Sequence, residues 1–249
     1  MVDNTENKVN LGRVLVTGGA GSIGMAICRK LRDVGWTPVS GDLPKAIELV
    51  DMKAKENIGI SHIELDVTSR ESVDAAVKNT GGEWAGVVNC AGVLRDTLLG
   101  RTLEESMNFM FQVNLAGTAR VTDAFAPFIR DGGAIVNIGS VTGYIGRFVG
   151  ASVYGATKAG VGAYTTYLAV ELASRRIRVN NVAPGVIRAP MSPSMALVSG
   201  GEESSAAQAI LNRIGEPEEV AEVVEFLLSE RASFITAQTI LVDGGFVAR

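Results

Sequence analysis

Short apolar runs alternate with longer amphipathic segments along the chain, from residue 13 almost to its C-terminal end. Runs that are apolar at nearly every position are typical of strands covered by helices on both faces. They predict seven strands, at Arg13–Thr17, Thr37–Gly41, Ser61–Leu65, Gly86–Cys90, Ala134–Gly139, Arg178–Val182 and Thr239–Val242. Apolar positions at helical spacing predict five helices between them, at Ile23–Val34, Ser69–Lys78, Leu103–Ile129, Ser152–Ser174 and Pro217–Leu228.

Alternation of strands and helices in one chain is typical of a doubly wound parallel sheet. We therefore predict an α/β fold, in which a single Rossmann-type domain holds a seven-stranded parallel sheet flanked by helices. Residues 1–10 are polar and are expected to form a flexible leader, and residues 11–249 a single dinucleotide-binding catalytic domain. Residues 188–213 are irregular and broken by proline and glycine; they are expected to form a mobile lid, the alternative being a surface loop.

Composition and charge argue against several classes of protein and of functional site. The 249 residues are 47% apolar and 20% charged, which excludes a disordered chain. A net charge of −4 without a strong basic run argues against nucleic acid as a partner, and no uncharged apolar run is long enough for a membrane span. Two cysteines in apolar surroundings indicate a reduced, cytoplasmic protein, and the single histidine, His62, argues against a Ser-His-Asp triad or a metal site.

A glycine-rich turn follows the first predicted strand. Residues Thr17–Gly24 read TGGAGSIG, and Gly19-x-Gly21-x-x-Gly24 fits the dinucleotide fingerprint between a strand and a helix. Glycine lets backbone N–H groups and the helix N-terminus approach a pyrophosphate. The alternative is a tight strand–helix link without a ligand, but the position in the first βα turn favours cofactor binding.

Asp42 ends the second predicted strand, 18 residues after Gly24. A carboxylate at this place accepts hydrogen bonds from the ribose hydroxyls of adenosine and repels a 2′-phosphate. Neither Lys nor Arg occurs between Thr17 and Gly24, so the sequence favours NAD over NADP. Asp42 can also cap the turn before Pro44, and both roles are compatible.

Tyr154 and Lys158 are four positions apart and lie on one face of a predicted helix. An adjacent cation stabilises a phenolate, so Tyr154 is a candidate proton acceptor for alcohol oxidation and donor for ketone reduction. The alternative is a core tyrosine beside a solvated lysine. Ser140 closes the fifth strand at the ligand-binding edge, where its hydroxyl can hold a substrate oxygen. Asn114 lies inside a long helical pattern. Its amide either forms a hydrogen bond between helices or anchors a water beside Lys158.

Taken together, these features resemble the short-chain dehydrogenase/reductase family over roughly residues 10–246. The matching features are Thr17–Gly24, Asp66-Val67, Asn89–Gly92, Asn114, Ser140, Tyr154 with Lys158, Pro184-Gly185 and Val242–Gly245. The resemblance implies a catalytic tetrad of Asn114, Ser140, Tyr154 and Lys158. It also implies an NAD site formed by Tyr154 and Lys158 with Gly18, Gly21, Ser22, Ile23, Gly24, Asp42, Leu43, Asp66, Val67, Asn89, Ala91, Gly92, Pro184, Gly185 and Ile187, and a homotetramer built on the Ser152–Ser174 helix and the last helix and strand.

Three residues depart from the family's usual pattern. Ser22 stands where the loop usually has glycine, so its Cβ crowds the phosphate or its hydroxyl bonds to it. Cys90 replaces an asparagine and is expected to pack rather than react. Ala189 replaces a threonine, which removes a hydroxyl from the place expected to anchor the nicotinamide carboxamide.

A fourth departure concerns the substrate pocket. Ser140 and Tyr154 are 14 positions apart, one more than usual, so Gly146–Ser152 is expected to carry an extra loop residue. The pocket wall is expected to be mainly apolar, which favours an apolar alcohol or ketone. Its candidate residues are Leu94, Val141, Thr142, Tyr144, Phe148, Val149 and Met191.

The function predicted from these residues is an NAD-dependent oxidoreductase that interconverts a secondary alcohol and a ketone by hydride transfer, with Tyr154 as general acid/base. The alternative is a 3-oxoacyl-thioester reductase acting on acyl-carrier-protein or CoA substrates. Leu94–Leu99 resembles the corresponding segment of those enzymes, but they usually prefer NADPH. A surface that docks a carrier protein should also be basic, and the residues that could form one are few: Arg130, Arg175 and Arg176. A dinucleotide-binding sensor and a dehydratase or epimerase are less favoured, because the Tyr/Lys pair is kept and the lid is short.

Overall fold

One parallel sheet runs through the computed structural model, which describes residues 10–51, 57–95, 97–188 and 208–248. Its strand order is β3-β2-β1-β4-β5-β6-β7, and all six pairings are parallel. The prediction of a seven-stranded Rossmann-type sheet is confirmed. The strands are β1 (Arg13–Thr17), β2 (Thr37–Asp42), β3 (Ser61–Glu64), β4 (Trp84–Asn89), β5 (Ile129–Ile138), β6 (Arg178–Pro184) and β7 (Thr239–Val242).

Helices cover both faces of this sheet. They are α1 (Ser22–Asp33), α2 (Pro44–Asp51), α3 (Arg70–Thr80), α4 (Glu104–Met110), a π-helix (Phe111–Gly117), α5 (Thr118–Phe125), α6 (Ser152–Glu171) and α7 (Pro217–Leu228). The core on one face is built mainly with α1 and α7, and the core on the other with α3, α5 and α6. The chain order reverses between β1 and β4, so the carboxyl ends of these strands form the crevice where such sheets bind ligands.

The predicted helix Leu103–Ile129 is not continuous. It divides into α4, the π-helix, α5 and a 3₁₀ turn at Ala126–Phe128. Pro127 lacks the N–H that a longer helix would need, and Ile129 begins β5 rather than ending a helix. The helix α2 was not predicted, because its eight residues carry only a short amphipathic pattern.

The last helix, α7, is predicted correctly in both bounds. Pro217 occupies its first turn, and Glu216 and Glu219 form a reciprocal capping box there. Val220, Val224 and other apolar side chains of α7 are buried against α1. Its apolar stripe is therefore mainly core.

The glycines inside α6 serve contacts within the fold. A Cβ on Gly155 would lie 2.8 Å from the Thr142 carbonyl oxygen, and one on Gly160 would lie 2.9 Å from Leu115 of the π-helix. These close approaches explain why small residues interrupt an otherwise regular helix.

Parts of the predicted organisation lie outside the described residues: most of the leader, and residues 189–207 of the lid, including Ala189 and Met191. No helix within the described residues is both long and apolar enough to cross a bilayer.

Candidate active site

The turn between β1 and α1 is packed too closely for larger residues. Gly18 has φ +63°, and a Cβ on it would lie 2.8 Å from Ala91 Cα. A Cβ on Gly24 would lie 2.2 Å from the Gly18 carbonyl oxygen. The Thr17 hydroxyl accepts from the backbone N–H groups of Cys90 and Ala91, both at 3.1 Å. The glycines thus dock this turn against the chain that follows β4.

The N-terminus of α1 has the properties of an anion site. Among the described residues no side chain caps it, and its first turn carries no acidic residue. Gly21 and Ser22 are exposed there, while Ile23 is half-buried. The N–H groups and the positive end of the helix dipole suit a pyrophosphate. Because Ser22 is exposed, its side chain points to open space rather than into the packed turn.

Asp42 lies beside this turn at the end of β2. Its Oδ2 accepts from the Ala20 N–H at 3.0 Å, and its Oδ1 accepts from the Leu43 N–H at 2.8 Å. The carboxylate therefore anchors the glycine-rich turn and also caps its own turn, so the capping role foreseen for it is present. The placement leaves a negative group at the carboxyl end of β2, beside the glycine-rich turn.

Asp66 and Val67 form a rigid turn after β3. The Asp66 carboxylate accepts from the Thr68 N–H at 2.8 Å and from the Thr68 hydroxyl at 2.7 Å. Arg120 donates to the Val67 carbonyl oxygen. The turn holds its shape at the sheet edge through these contacts.

The side chain of Asn89 is buried and bonded inside the fold, and its predicted place in the cofactor site stays a prediction. Its amide donates to Thr122 Oγ1 at 3.0 Å and to Asn137 Oδ1 at 2.8 Å. Asn137 in turn donates to Thr165 Oγ1 at 2.9 Å. Asn89 therefore ties β4 to β5 and α5 inside the core, and only its main chain reaches the sheet edge.

Gly92 allows two functional side chains to approach the chain after β4. A Cβ on Gly92 would lie 3.2 Å from Lys158 Nζ and 3.6 Å from Asn114 Oδ1. The small size of glycine at this position keeps the ammonium and the amide next to the crevice.

Tyr154 and Lys158 occupy the start of α6 and face the same place. Lys158 Nζ donates to the Ile138 carbonyl oxygen at 2.8 Å and lies 5.8 Å from the centroid of the Tyr154 ring. The Tyr154 hydroxyl is hydrogen-bonded to Ser140. Lys158 is only 3% exposed, which rules out the alternative of a solvated lysine.

Burial sets the acidity of this pair. It raises the pKa of Tyr154 to about 12, an effect that the hydrogen bond to Ser140 only partly offsets. It lowers the pKa of Lys158 to about 8. The pKa of Tyr154 is therefore raised overall and not lowered as expected, because the loss of hydration around the phenolate is the largest effect.

Asn114 lies in the π-helix and is fully buried. Its amide donates to the Val93 carbonyl oxygen and to Thr157 Oγ1, both at 3.0 Å, and accepts from the Val93 N–H at 2.8 Å. These bonds join the chain after β4 and the π-helix to α6, so the helix–helix hydrogen bond is present, and the water beside Lys158 stays a prediction. Single π turns inside α-helices occur frequently at functional sites.

Cys90 is half-buried next to this pair. Its surroundings raise the pKa of the thiol to about 12, chiefly through burial, although Lys158 opposes the shift. A thiol with so high a pKa is a poor nucleophile, which agrees with a packing role.

The segment after β6 is held by two neighbours. Gly185 donates to the Val242 carbonyl oxygen at 2.9 Å, and a Cβ on it would lie 2.8 Å from Asp243 Cα. Ile187 pairs with Gly215 in an isolated parallel bridge. These contacts fix Pro184–Ile187 against the carboxyl end of β7 and the segment before α7.

Of the expected pocket residues, Leu94 packs against Tyr154. Ser140 and Thr142 join by a 3.1 Å hydrogen bond, and Val149 is 70% exposed. The expectation for Tyr144 is wrong: its hydroxyl bonds to Thr239 and Asn181 of β7 and β6, away from Tyr154.

Several residues that hold the site together were not predicted. Thr157 links Asn114 to the Tyr154 carbonyl oxygen, to which it donates at 2.8 Å. Thr17 links the glycine-rich turn to the chain after β4. Thr17 belongs to the glycine-rich motif, although its bonds were not predicted, and the sequence signal for Thr157 is its place next to Lys158.

Replacing Lys158 by Met tests the burial of the ammonium. In the folded state Lys158 loses its proton near pH 8, whereas in the unfolded state it keeps the proton up to its ordinary pKa of 10.5. Between these two pH values the unfolded state therefore binds more protons than the folded state. The free energy of unfolding of the wild type should therefore rise by about 2 kcal/mol relative to Lys158→Met from pH 7 to about pH 9.5, below the titration of Tyr154. Urea unfolding at both pH values measures this, with exposed Lys78→Met as control; a difference that does not change with pH contradicts it.

Known proteins share this architecture along its whole length. Residues 18–247 match the family model described as Enoyl-(Acyl carrier protein) reductase. The chain is 39% identical over 242 residues to 3-oxoacyl-[acyl-carrier-protein] reductase FabG of Thermotoga maritima, covering 94% of this chain and 96% of that protein. It is 40% identical over 237 residues to carbonyl reductase family member 4 of Danio rerio, covering 93% and 96%.

Solved structures of other proteins also match the fold of this chain. The crystal structure of gox2181 matches with a TM-score of 0.84 at 31% identity, covering 97% of this chain and 98% of that one. The structure titled short-chain dehydrogenase/reductase SDR:glucose/ribitol dehydrogenase, from Brucella melitensis, matches with a TM-score of 0.87 at 29% identity, covering 96% and 98%. The chain therefore belongs to the short-chain dehydrogenase/reductase family and is an oxidoreductase acting on CH–OH groups or ketones.

Proposed function

We propose that the protein interconverts a secondary alcohol and a ketone with NAD as its coenzyme, using Tyr154 as general acid and base. The observation that carries the proposal is the buried group of Tyr154, Ser140 and Lys158 at the crevice between β1 and β4. Packed glycines and the uncapped start of α1 lie at the same edge and suit a dinucleotide. The bound nicotinamide supplies or accepts the hydride.

Ser140 and Tyr154 act on the substrate oxygen in this proposal. Their hydroxyls are hydrogen-bonded to each other, so an oxygen placed between them can bond to both. In ketone reduction Tyr154 donates its proton to this oxygen; in alcohol oxidation it accepts one. The low exposure of Tyr154, 6%, keeps water from competing for that hydrogen bond.

In this proposal Lys158 favours the ionised form of Tyr154. Its ammonium, fixed on the Ile138 carbonyl oxygen, is the charge near the phenol that favours the phenolate. Burial opposes ionisation of Tyr154 in the free protein. A positively charged ring in the crevice adds a second favourable charge, so alcohol oxidation is expected to depend on the oxidised coenzyme being bound first.

We propose NAD rather than NADP because of Asp42. Its carboxylate, held by Ala20 and Leu43, puts a negative charge where a 2′-phosphate would lie.

The second candidate is a 3-oxoacyl-thioester reductase, favoured by the names of relatives such as FabG. The same hydroxyls would then act on the 3-oxo group. Arg175 is a weak candidate for carrier docking, because it is bonded to Asp131 and to the carbonyl oxygens of Ala126 and Ile129. Comparing turnover of acetophenone and acetoacetyl-CoA separates the two candidates.

We also propose a cytoplasmic homotetramer. Tyr167 and Val170 lie on α6 and are each 73% exposed. Two such large apolar residues on one helix favour contact with a second copy. Because the stripe of α7 is mainly core, the proposal depends chiefly on α6.

Tyr154→Phe removes the proposed proton donor. We expect kcat for ketone reduction to fall by about 10²- to 10⁴-fold, with the dissociation constant for NADH unchanged. Steady-state kinetics and NADH fluorescence titration measure both. Tyr164→Phe removes a hydroxyl from the same helix away from the crevice and is the control; near-normal turnover of Tyr154→Phe would falsify the role.

Asp42→Ala removes the charge proposed to exclude a 2′-phosphate. The ratio of kcat/KM with NADPH to that with NADH should rise by roughly tenfold or more, and KM for NADH should also rise because the turn loses its anchor. Asp33→Ala removes one charge from the exposed end of α1 and should leave the ratio unchanged. A wild type that already prefers NADPH overturns the assignment.

Val170→Asp places a charge on the proposed subunit contact. Burying that charge is unfavourable, so light scattering at micromolar concentration should show a mass below the tetramer of the wild type. Ile58→Asp changes a residue of similar exposure elsewhere and should keep the tetramer. A monomeric wild type contradicts the proposal.

A further inference from the structure

A short turn near the C-terminal end, Asp243–Val247, is fixed by its own carboxylate. Asp243 Oδ1 accepts from the Gly245 N–H and Oδ2 from the Val247 N–H, both at 2.9 Å. Gly244 and Gly245 have φ of +59° and +81°, which glycine adopts without strain. Phe246 is 1% exposed, so its ring lies inside the fold. We call these residues the C-terminal turn.

The C-terminal turn contacts two segments beside the crevice. Its first residue packs against the main chain at Gly185, where a Cβ would lie 2.8 Å from Asp243 Cα. Gly244 accepts a hydrogen bond from the Leu211 N–H at 3.1 Å, and a Cβ on Gly245 would lie 2.8 Å from Ile210. The turn thus touches the chain after β6 and the segment that precedes α7.

Its third contact is with the loop Tyr144–Gly150, here called the substrate loop. Arg147 Nη1 donates to the Phe246 carbonyl oxygen at 3.1 Å, and its guanidinium lies 5.2 Å from the Phe246 ring centroid. The rings of Phe148 and Phe246 stack with centroids 5.5 Å apart and planes at 9°. Phe246 is therefore covered by two consecutive residues of this loop.

The ends of the substrate loop are held by other parts of the fold. Tyr144 is bonded to Asn181 and Thr239, and the Gly150 carbonyl oxygen accepts from the Thr97 N–H at 2.7 Å. Near the middle of the loop, a Cβ on Gly146 would meet no atom of the described residues within 4 Å. Arg147 and Phe148 thus join the middle of the loop to Phe246, in addition to two local bonds, from the Ile145 N–H to the Val141 carbonyl oxygen at 3.0 Å and from the Ala151 N–H to the Phe148 carbonyl oxygen at 3.3 Å.

This loop joins the two residues that hold the substrate oxygen in the proposed function. It begins after the 3₁₀ turn that follows Ser140 and ends just before Tyr154. In the proposed function we therefore expect the carbon chain of a ketone, with its oxygen at those hydroxyls, to face this loop. Any outward movement of Arg147 and Phe148 would widen the space for that chain.

We propose that Phe246 is a positioning residue which, through Arg147 and Phe148, holds the substrate loop inward and limits the size of the ketone or alcohol. The inference rests on the proposed function for its substrate class. It assigns to the C-terminal turn a role in substrate selection, with no contact to the reacting atoms. The extra residue between Ser140 and Tyr154 makes the loop longer, and Phe246 compensates by fixing its middle.

Arg147→Gln and Phe246→Leu test this role with NADH and two probes, acetone and acetophenone. Loosening the loop should raise the ratio of kcat/KM for acetophenone to that for acetone by roughly tenfold, through KM for the ketone, while KM for NADH stays unchanged. Arg231→Gln and Phe226→Leu disrupt a similar cation–aromatic contact between α7 and the turn that follows it, with 5.6 Å between guanidinium carbon and ring centroid, and should leave the ratio unchanged. Arg147 is exposed, so its variant tests the proposal even if Phe246→Leu fails to fold.

Hydrogen exchange provides a second readout that does not need turnover. In Arg147→Gln, amides of residues 145–149 should exchange faster than in the wild type, whereas those of α6 should not change. An active wild type whose size preference survives in Arg147→Gln overturns the inference, as does unchanged exchange in the loop. A wild type inactive on every ketone would instead refute the proposed function, and the exchange result alone would then decide whether Phe246 positions the loop.

Discussion

The site depends on a lysine ammonium kept almost out of water beside a phenol. Lys158 is held by the Ile138 carbonyl oxygen, and burial lowers its pKa to about 8. The same burial raises the pKa of Tyr154 to about 12. Burial thus favours the neutral form of both groups, and the balance is sensitive to any charge that enters the crevice. This sensitivity is useful in an oxidoreductase, since the charge of the nicotinamide changes during the reaction.

The site also requires that the backbones of separate segments approach one another closely. Glycine permits this at the points where the segments meet. Gly18 lies against Ala91, Gly92 leaves room for Lys158, and Gly185 lies against Asp243. These contacts join the turn after β1 to the chain after β4, leave room beside that chain for Lys158, and join the turn after β6 to the turn after β7. Larger side chains would push apart the segments that form the crevice.

Much of this arrangement follows from local patterns. The order and approximate bounds of the strands were predictable because buried parallel strands are apolar at nearly every position. Tyr154, Lys158 and Ser140 were predictable as neighbours, because helical spacing and the carboxyl edge of a parallel sheet bring them together. Helix Leu103–Ile129 was mispredicted, because periodicity does not distinguish a π turn from the α turns around it.

By itself, then, the sequence determined the sheet, the glycine-rich turn and the placement of Tyr154 and Lys158 on one face of a helix, since each depends on residues close in the chain or on a regular repeat. The tertiary structure alone decided that Asn89 faces the core, that Tyr144 turns toward β6 and β7, and that Phe246 stacks on Phe148. Those outcomes depend on contacts between residues far apart in the chain, and on the competition between burial and charge, which no local pattern records.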